Sequence, residues 1–394
     1  NIPSGYTEAK AMGVGIGTVH SINDGHGTAC ASLAAGKSFG LAFEANIWNM
    51  PGISDAVNLT PITNYELMNL FNLYKPVNTE TGVKNPTVIN GSWGYQAAFS
   101  SNSTVSYKFR GTTGTFTGNA SVTNQVTAMK DGLNNQVAGA YRSWSSSSRS
   151  SSTDTAGNEM MTGGNIHYVA AAGNNNQRLG IGTDDPDRLN YMSDNYYGTT
   201  DPRSEFPSGT VPCNHRDWMT PQGLGFNANL DTEFHPTICV GAMDDEVNVD
   251  LSERKASYSN NGPGIDVWAP ADETLAAGLT GQASYEDFKR RDNNIFFDVN
   301  FSGTSAAAPV VTGLVALYLQ GNPTATQRQV KNFIETKGSV LVENSLYQDQ
   351  YSNDSTTTYW TGTFNLRGAS RRIARDLSAT NVKPAIKGGF TGTN

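Results

Sequence analysis

Four short stretches of this chain hold residue types that could assemble a nucleophilic site. Residues 301–309 read Phe-Ser-Gly-Thr-Ser-Ala-Ala-Ala-Pro and open a small, aliphatic run to Gln320 that suits a buried helix. Ser305 then stands at a helix N-terminus, where the dipole and the unbonded N–H groups favour an attacking hydroxyl and a developing oxyanion alike. Pro309 is expected in the first turn, where a missing N–H costs nothing. The alternative is an ordinary buried helix with a serine N-cap. His26 lies between glycines in Asp24-Gly25-His26-Gly27-Thr28-Ala29-Cys30-Ala31, at the start of a helix of very small residues, as a base or as a structural histidine. Tyr168-Val169-Ala170-Ala171-Ala172-Gly173-Asn174 is a buried strand that turns an asparagine outward. Asn174 either stabilises that turn or offers an amide N–H to an oxyanion, a donor whose removal typically costs about 10²–10³ in rate. Val88-Ile89-Asn90-Gly91-Ser92-Trp93-Gly94 ends a strand in a small-large-small triplet. Such a triplet leaves backbone groups open to pair with an extended peptide, or is simply a strand end with a buried tryptophan.

Positioning these residues requires alternating strands and helices. Short apolar strands are expected at residues 45–50, 87–90, 166–172, 237–242 and 265–268, with helices at 26–36, 64–74, 124–142, 305–320 and 326–336. The alternation predicts an α/β fold, a mostly parallel central sheet with helices on both faces and sites at the strands' carboxyl ends. Two long irregular insertions interrupt it, at residues 95–123 and 178–236, and read as cleft walls or partner surfaces. Residues 143–155 are Ser-rich and read as a flexible surface loop. The main domain is expected to run over residues 1–345, followed by a polar C-terminal extension over 346–394 with little core of its own.

With 394 residues and 37% hydrophobic content, the chain can bury a sizeable core, while only 16% of its residues are charged. Abundant Gly, Ser, Thr and Asn suit an extracellular or particle-bound protein. A net charge of −8 without a long Lys/Arg cluster speaks against a nucleic-acid surface. No run of about 18 apolar residues is apparent, so no membrane span is expected. Of the three cysteines, Cys30 reads as a small buried hydrophobe and Cys213–Cys239 as a candidate bridge. Asn1 is not preceded by a methionine or a signal-like segment, which predicts that something upstream was removed or omitted.

Taken in order, His26-Gly27-Thr28, Ser92-Trp93-Gly94, Ala171-Ala172-Gly173-Asn174 and Gly303-Thr304-Ser305-Ala306-Ala307-Ala308-Pro309 resemble the sequence blocks of the subtilisin-like serine peptidases. Weaker matches are Thr237–Ala242, Tyr258–Pro263 and Asp266–Pro270, and the resemblance runs from about residue 20 to 338. It implies a subtilisin-like fold and hydrolysis of polypeptides by acyl transfer. Ser305 would be the nucleophile, His26 the general base and then acid, and Asn174 an oxyanion donor. Ser92, Trp93 and Gly94 would bind the substrate backbone and border the S1 pocket. No cofactor is implied for the chemistry. Structural calcium is a possibility the family raises, with Asp184, Asp185 and Asp187 as candidate ligands or as a solvated acidic turn. Some motif details are kexin-like, but Tyr95-Gln96-Ala97-Ala98-Phe99 replaces the acidic residues expected after Ser-Trp-Gly, so dibasic specificity is not expected.

The family's triad also needs an aspartate at a strand end upstream of the histidine. Glu8 and Asp24 are the acids before His26, and neither sits in an apolar strand followed by a Thr/Ser-Gly turn. One explanation is a central strand carrying the aspartate on a segment upstream of Asn1, an N-terminal fragment or propeptide that stays bound. A second is a carboxylate from an unexpected place. The third is a subtilase fold kept for a structural or binding role in a virion or surface assembly, against which secretion as a peptidase is the main expectation.

Overall fold

Strands that are apolar at nearly every position need cover on both faces, and this chain supplies helices for each. The computed structural model describes residues 25–38, 40–48, 64–94, 104–109, 112–117, 151–162, 166–174, 179, 191–193, 210–212, 235–247, 253–278, 287–289, 297–341 and 372–374. The elements begin with α1 (His26–Ala35), α2 (Asn64–Tyr74), β1 (Thr87–Gly91), β2 (Thr104–Phe109), β3 (Thr112–Thr117) and α3 (Ser151–Thr162). They continue with β4 (Ile166–Ala171), β5 (Tyr191–Ser193), β6 (Thr210–Pro212), β7 (Ile238–Val247), β8 (Glu253–Lys255), β9 (Val267–Pro270) and β10 (Thr274–Gly278). The last are β11 (Asp287–Lys289), β12 (Phe297–Phe301), α4 (Thr304–Gly321), α5 (Gln327–Thr336), β13 (Ser339–Leu341) and β14 (Arg372–Ala374).

The main sheet runs β1-β4-β7-β9-β14-β13, with β8 added antiparallel to β7. Along this path pairing is parallel from β1 through β14, and β13 returns antiparallel. The fold is therefore α/β with a mostly parallel central sheet. Along β4, alternate residues serve opposite faces. Ile166, Tyr168 and Ala170 pack with Tyr65 and Met68 of α2 and Met160 and Met161 of α3, whereas Val169 and Ala171 join the core of α1 and α4. Gly313 lets α1 and α4 approach closely, because a Cβ there would stand 2.6 Å from the Ala34 carbonyl oxygen. Thr326 caps α5 in a capping box with Gln329. Because β1 and β4 are parallel, Ser92 and Asn174 emerge from the same edge of the sheet.

Several expectations are corrected. Residues 45–48 form no strand. The chain turns after α1, with Ala42 N–H on Ala34 O and Ala45 N–H on Ala42 O, and leaves Ile47 and Trp48 exposed without a ladder partner. The insertions are less irregular than expected: β2 and β3 form a hairpin that β5 and β6 extend into a four-stranded antiparallel sheet. Part of the Ser-rich loop is helical, since α3 begins at Ser151 and buries Ala156, Met160 and Met161. Within the C-terminal extension, β14 joins the main sheet and Ile373 pairs with Trp268 of β9. β1 bonds directly to β4 from Thr87↔Ile166 to Gly91↔Ala170, so no further strand stands between these two. Cys30 and Cys239 are both buried, Cys239 fully enclosed on β7, and the other half of the expected Cys213–Cys239 bridge lies outside the described residues. By length and composition α4 is apolar enough to cross a membrane, contrary to the reading that no such stretch exists, but 67% of it is buried inside the protein. The helix expected at 124–142, and Glu8, Asp24, Cys213, Asp184, Asp185 and Asp187, lie outside the described residues.

His167 on β4 makes the fold sensitive to acid. Its ring is buried, and Nδ1 has no hydrogen-bond partner among the described residues. Burial first, and then the Lys75 ammonium, lower its pKa to about 4. The unfolded chain takes up a proton below about pH 6.5 and the folded chain only near pH 4, so stability is retained above that window and lost as pH falls through it. The loss should reach about 3 kcal/mol, and denaturant midpoints of the wild type and His167→Gln between pH 7 and 4 should converge on acidification. Parallel pH profiles would show that His167 does not titrate this way.

Candidate active site

Glycine at 303 sets the geometry from which the site is built. With φ of 99°, Gly303 caps α4, and its carbonyl accepts the Ala306 N–H at 2.8 Å. Ser305 is thus the second residue of the helix and not its cap, which removes the N-cap reading. Its N–H belongs to the first-turn donors that no carbonyl of the helix can satisfy. Pro309, by contrast, lies in the second turn, where its missing N–H would have reached the Ser305 carbonyl. The expected first-turn placement is corrected accordingly.

The Tyr258 hydroxyl accepts the Gly303 N–H at 2.9 Å and lies 3.2 Å from the Ala271 carbonyl. Burial, reinforced by the nearby Asp272 carboxylate, pushes the phenol well above its ordinary pKa, so it stays protonated. Asn174 Oδ1 accepts both the Thr304 N–H and the Thr304 hydroxyl, each at 2.8 Å. Since a backbone N–H can only donate, the oxygen of the amide must face Thr304. The amide nitrogen is thereby turned beside Gly303, where a Cβ would stand 3.0 Å from it. Thr304 Oγ1 in turn accepts the Gly173 N–H at 3.0 Å. Asn260 secures the same turn, donating its side-chain amide to Ala172 O at 2.6 Å and its N–H to Gly173 O at 2.8 Å. Asn174 is exposed at the tip.

His26 is the first residue of α1, and its ring meets Phe301 edge-on with centroids 5.3 Å apart. Cys30 Sγ stands 3.8 Å from His26 Nδ1 and 3.5 Å from Ser305 O, which places α1 and the start of α4 side by side. Ser92 faces the same point. Its hydroxyl donates to Ser305 O at 2.9 Å, and its carbonyl accepts the Ser305 hydroxyl at 3.3 Å. Trp93 stacks on Tyr65 at 5.6 Å, and Trp93 and Gly94 stay partly exposed.

His26, Ser92, Asn174 and Ser305 therefore come together from α1, β1, β4 and α4. Trp93 and Gly94 follow Ser92 directly in the chain. Sequence reasoning missed Tyr258, Asn260 and Thr304 as residues that hold this arrangement, and it read Cys30 as a small buried hydrophobe and a kexin-like motif detail without foreseeing its place between His26 and Ser305. The signal for Tyr258 and Asn260 was the polar run Tyr258-Ser259-Asn260-Asn261 beside apolar strands, which has no obvious reason unless it bonds to something buried. Among the described residues, no three His, Cys, Asp or Glu side chains gather as a metal site.

A family model described as the subtilase family, peptidase S8, matches residues 17–356. The chain is 36% identical over 104 residues to the extracellular serine proteinase of Thermus sp. (strain Rt41A), a match covering 26% of this chain and 22% of that protein. It is 31% identical over 128 residues to subtilisin amylosacchariticus of Bacillus subtilis subsp. amylosacchariticus, covering 32% and 27% respectively. The matched part thus spans about a quarter of the length of these curated relatives. Among solved structures, a cold adapted subtilisin-like serine proteinase aligns over 89% of this chain and 74% of that one, with TM-score 0.41 and 17% identity.

Proposed function

The chain belongs to the subtilase family, and from that premise we propose that it is a serine endopeptidase whose nucleophile is Ser305. In this reading the Ser305 hydroxyl attacks the scissile carbonyl while His26 takes its proton. Negative charge collects on the former carbonyl oxygen, within reach of the Ser305 N–H and the Asn174 amide. Collapse expels the amine, which leaves with the proton held by His26. Water then attacks the acyl-enzyme with His26 as base, releasing the acid and restoring Ser305. Ser92, Trp93 and Gly94 receive the substrate backbone in extended form.

The observation that carries the reading is the turn at Gly303–Ser305, which bonds at once to Asn174 and Ser92 and lies against the helix that starts with His26. The carboxylate that would orient His26 is assigned, by the family's pattern, to a segment upstream of Asn1. Such a segment would reach His26 from outside the β1–β4 pair. The chemistry calls for no cofactor, and structural calcium stays a feature of the wider family. Secretion fits the sparse charge and the extracellular relatives.

A fluorophosphonate probe tests the reading directly. Native protein should be labelled on Ser305 at one equivalent per chain, located by peptide mapping, and heat-denatured protein should not be labelled. Absence of labelling in folded protein would favour a structural role for the fold.

A further inference from the structure

The helix that presents Ser305 contains a defect at one defined place. In a regular α-helix the N–H of residue 309 would donate to the carbonyl of residue 305. Pro309 has no N–H, and its ring crowds that same carbonyl. The Ser305 carbonyl is nevertheless provided for from outside the helix. Ser92 Oγ donates to it at 2.9 Å from the end of β1, and Cys30 Sγ, a weaker donor, stands at 3.5 Å on α1. The Ser92 hydroxyl is itself oriented. Asn90 Nδ2 donates to Ser92 Oγ at 2.9 Å, which occupies a lone pair and leaves the hydroxyl proton for Ser305 O. Asn90 Oδ1 lies 3.2 Å from Thr312 Oγ1, one helical turn beyond Ala308 on α4. The relay begins and ends on the same helix and passes through the end of β1.

We infer that Ser92 is a positioning residue for Ser305: its hydroxyl replaces the intrahelical hydrogen bond that Pro309 withholds and so fixes the backbone, and with it the hydroxyl, of the nucleophile. This role is separate from the backbone pairing with substrate assigned to Ser92, which uses the main chain. It rests on the serine-peptidase reading and deepens it. The arrangement ties the nucleophile to a strand end beside the substrate instead of to its own helix alone. A regular helix would fix the Ser305 carbonyl without reference to β1, whereas here Ser305 and the proposed peptide-binding strand move as one unit.

The proposal has a specific rescue. Ser92→Ala leaves a partly buried carbonyl without its principal donor and should lower both kcat and the fluorophosphonate labelling rate of Ser305 by about tenfold, with KM changed by less than about threefold. Pro309→Ala returns the missing N–H to the helix. In that background the same Ser92→Ala change should cost less than about twofold in labelling rate. Equal losses in both backgrounds would overturn the proposal, as would a loss confined to KM. If Ser92→Ala fails to fold, a folded Ser92→Ala/Pro309→Ala double variant supports the proposal and an unfolded one overturns it. Wild-type protein that never labels at Ser305 would instead overturn the peptidase reading on which this rests, so the two failures are distinct.

Discussion

Ser305→Ala is expected to lower kcat for hydrolysis of an unfolded polypeptide about 10⁶-fold, leaving the fold intact. The side chain is small and only partly buried, and the backbone bonds that hold the first turn of α4 run through Gly303, Thr304 and the Ser305 carbonyl, not through the hydroxyl proton. His26→Ala should cost about as much, and the double variant scarcely more, because a nucleophile and its base act as one unit. A casein or fluorogenic-peptide assay on the three variants, with circular dichroism to confirm folding, measures this. Losses that multiply in the double variant would show that the two residues act independently. A wild-type level of cleavage after Ser305→Ala would place the nucleophile elsewhere.

Lys331→Met is expected to destabilise the protein by about 3–5 kcal/mol, because it strands a buried carboxylate. Lys331 on α5 meets Asp266 with Nζ 3.0 Å from Oδ1, and both side chains are only 9% exposed. At that burial, solvent screening takes away little of the effect of breaking the pair. The ammonium also donates to His235 O at 2.8 Å and Thr237 O at 3.3 Å, while Asp266 Oδ2 accepts the Cys239 N–H at 2.8 Å. The pair thus pins α5 to the segments that lead into β7 and β9. Urea denaturation of Lys331→Met, Asp266→Asn and the double variant reads the effect. The double variant should be less destabilised than the sum of the single changes, since it leaves no unpaired charge. A shift below about 1 kcal/mol for Lys331→Met would mean that water reaches the pair.

Much of the fold was legible because local pattern and tertiary demand agree. Helices at 26–35, 64–74, 304–321 and 327–336 lie within a residue or so of the expected bounds, since their apolar spacing and the Thr326 cap act within one element. Residues 45–48 of the expected strand were misread for the converse reason. The apolar residues there suit a strand, but strand formation needs a neighbour, and residues 45–48 have none in the ladder. The paired insertions were illegible too, because β2 meets β5 across more than eighty residues and neither half announces the other.

For the candidate site, residue types and their order in the chain pointed to His26, Ser92, Trp93, Gly94, Asn174 and Ser305, each of which stands among small residues or at a strand end. Which atoms face one another was decided only by the tertiary structure. The Asn174 oxygen faces Thr304, Tyr258 grips Gly303, and Ser92 completes the helix that Pro309 interrupts. Composition and spacing act along the chain, whereas a hydrogen bond between residues 213 positions apart depends on how β1 and α4 are brought together by packing. That packing is a property of the whole core.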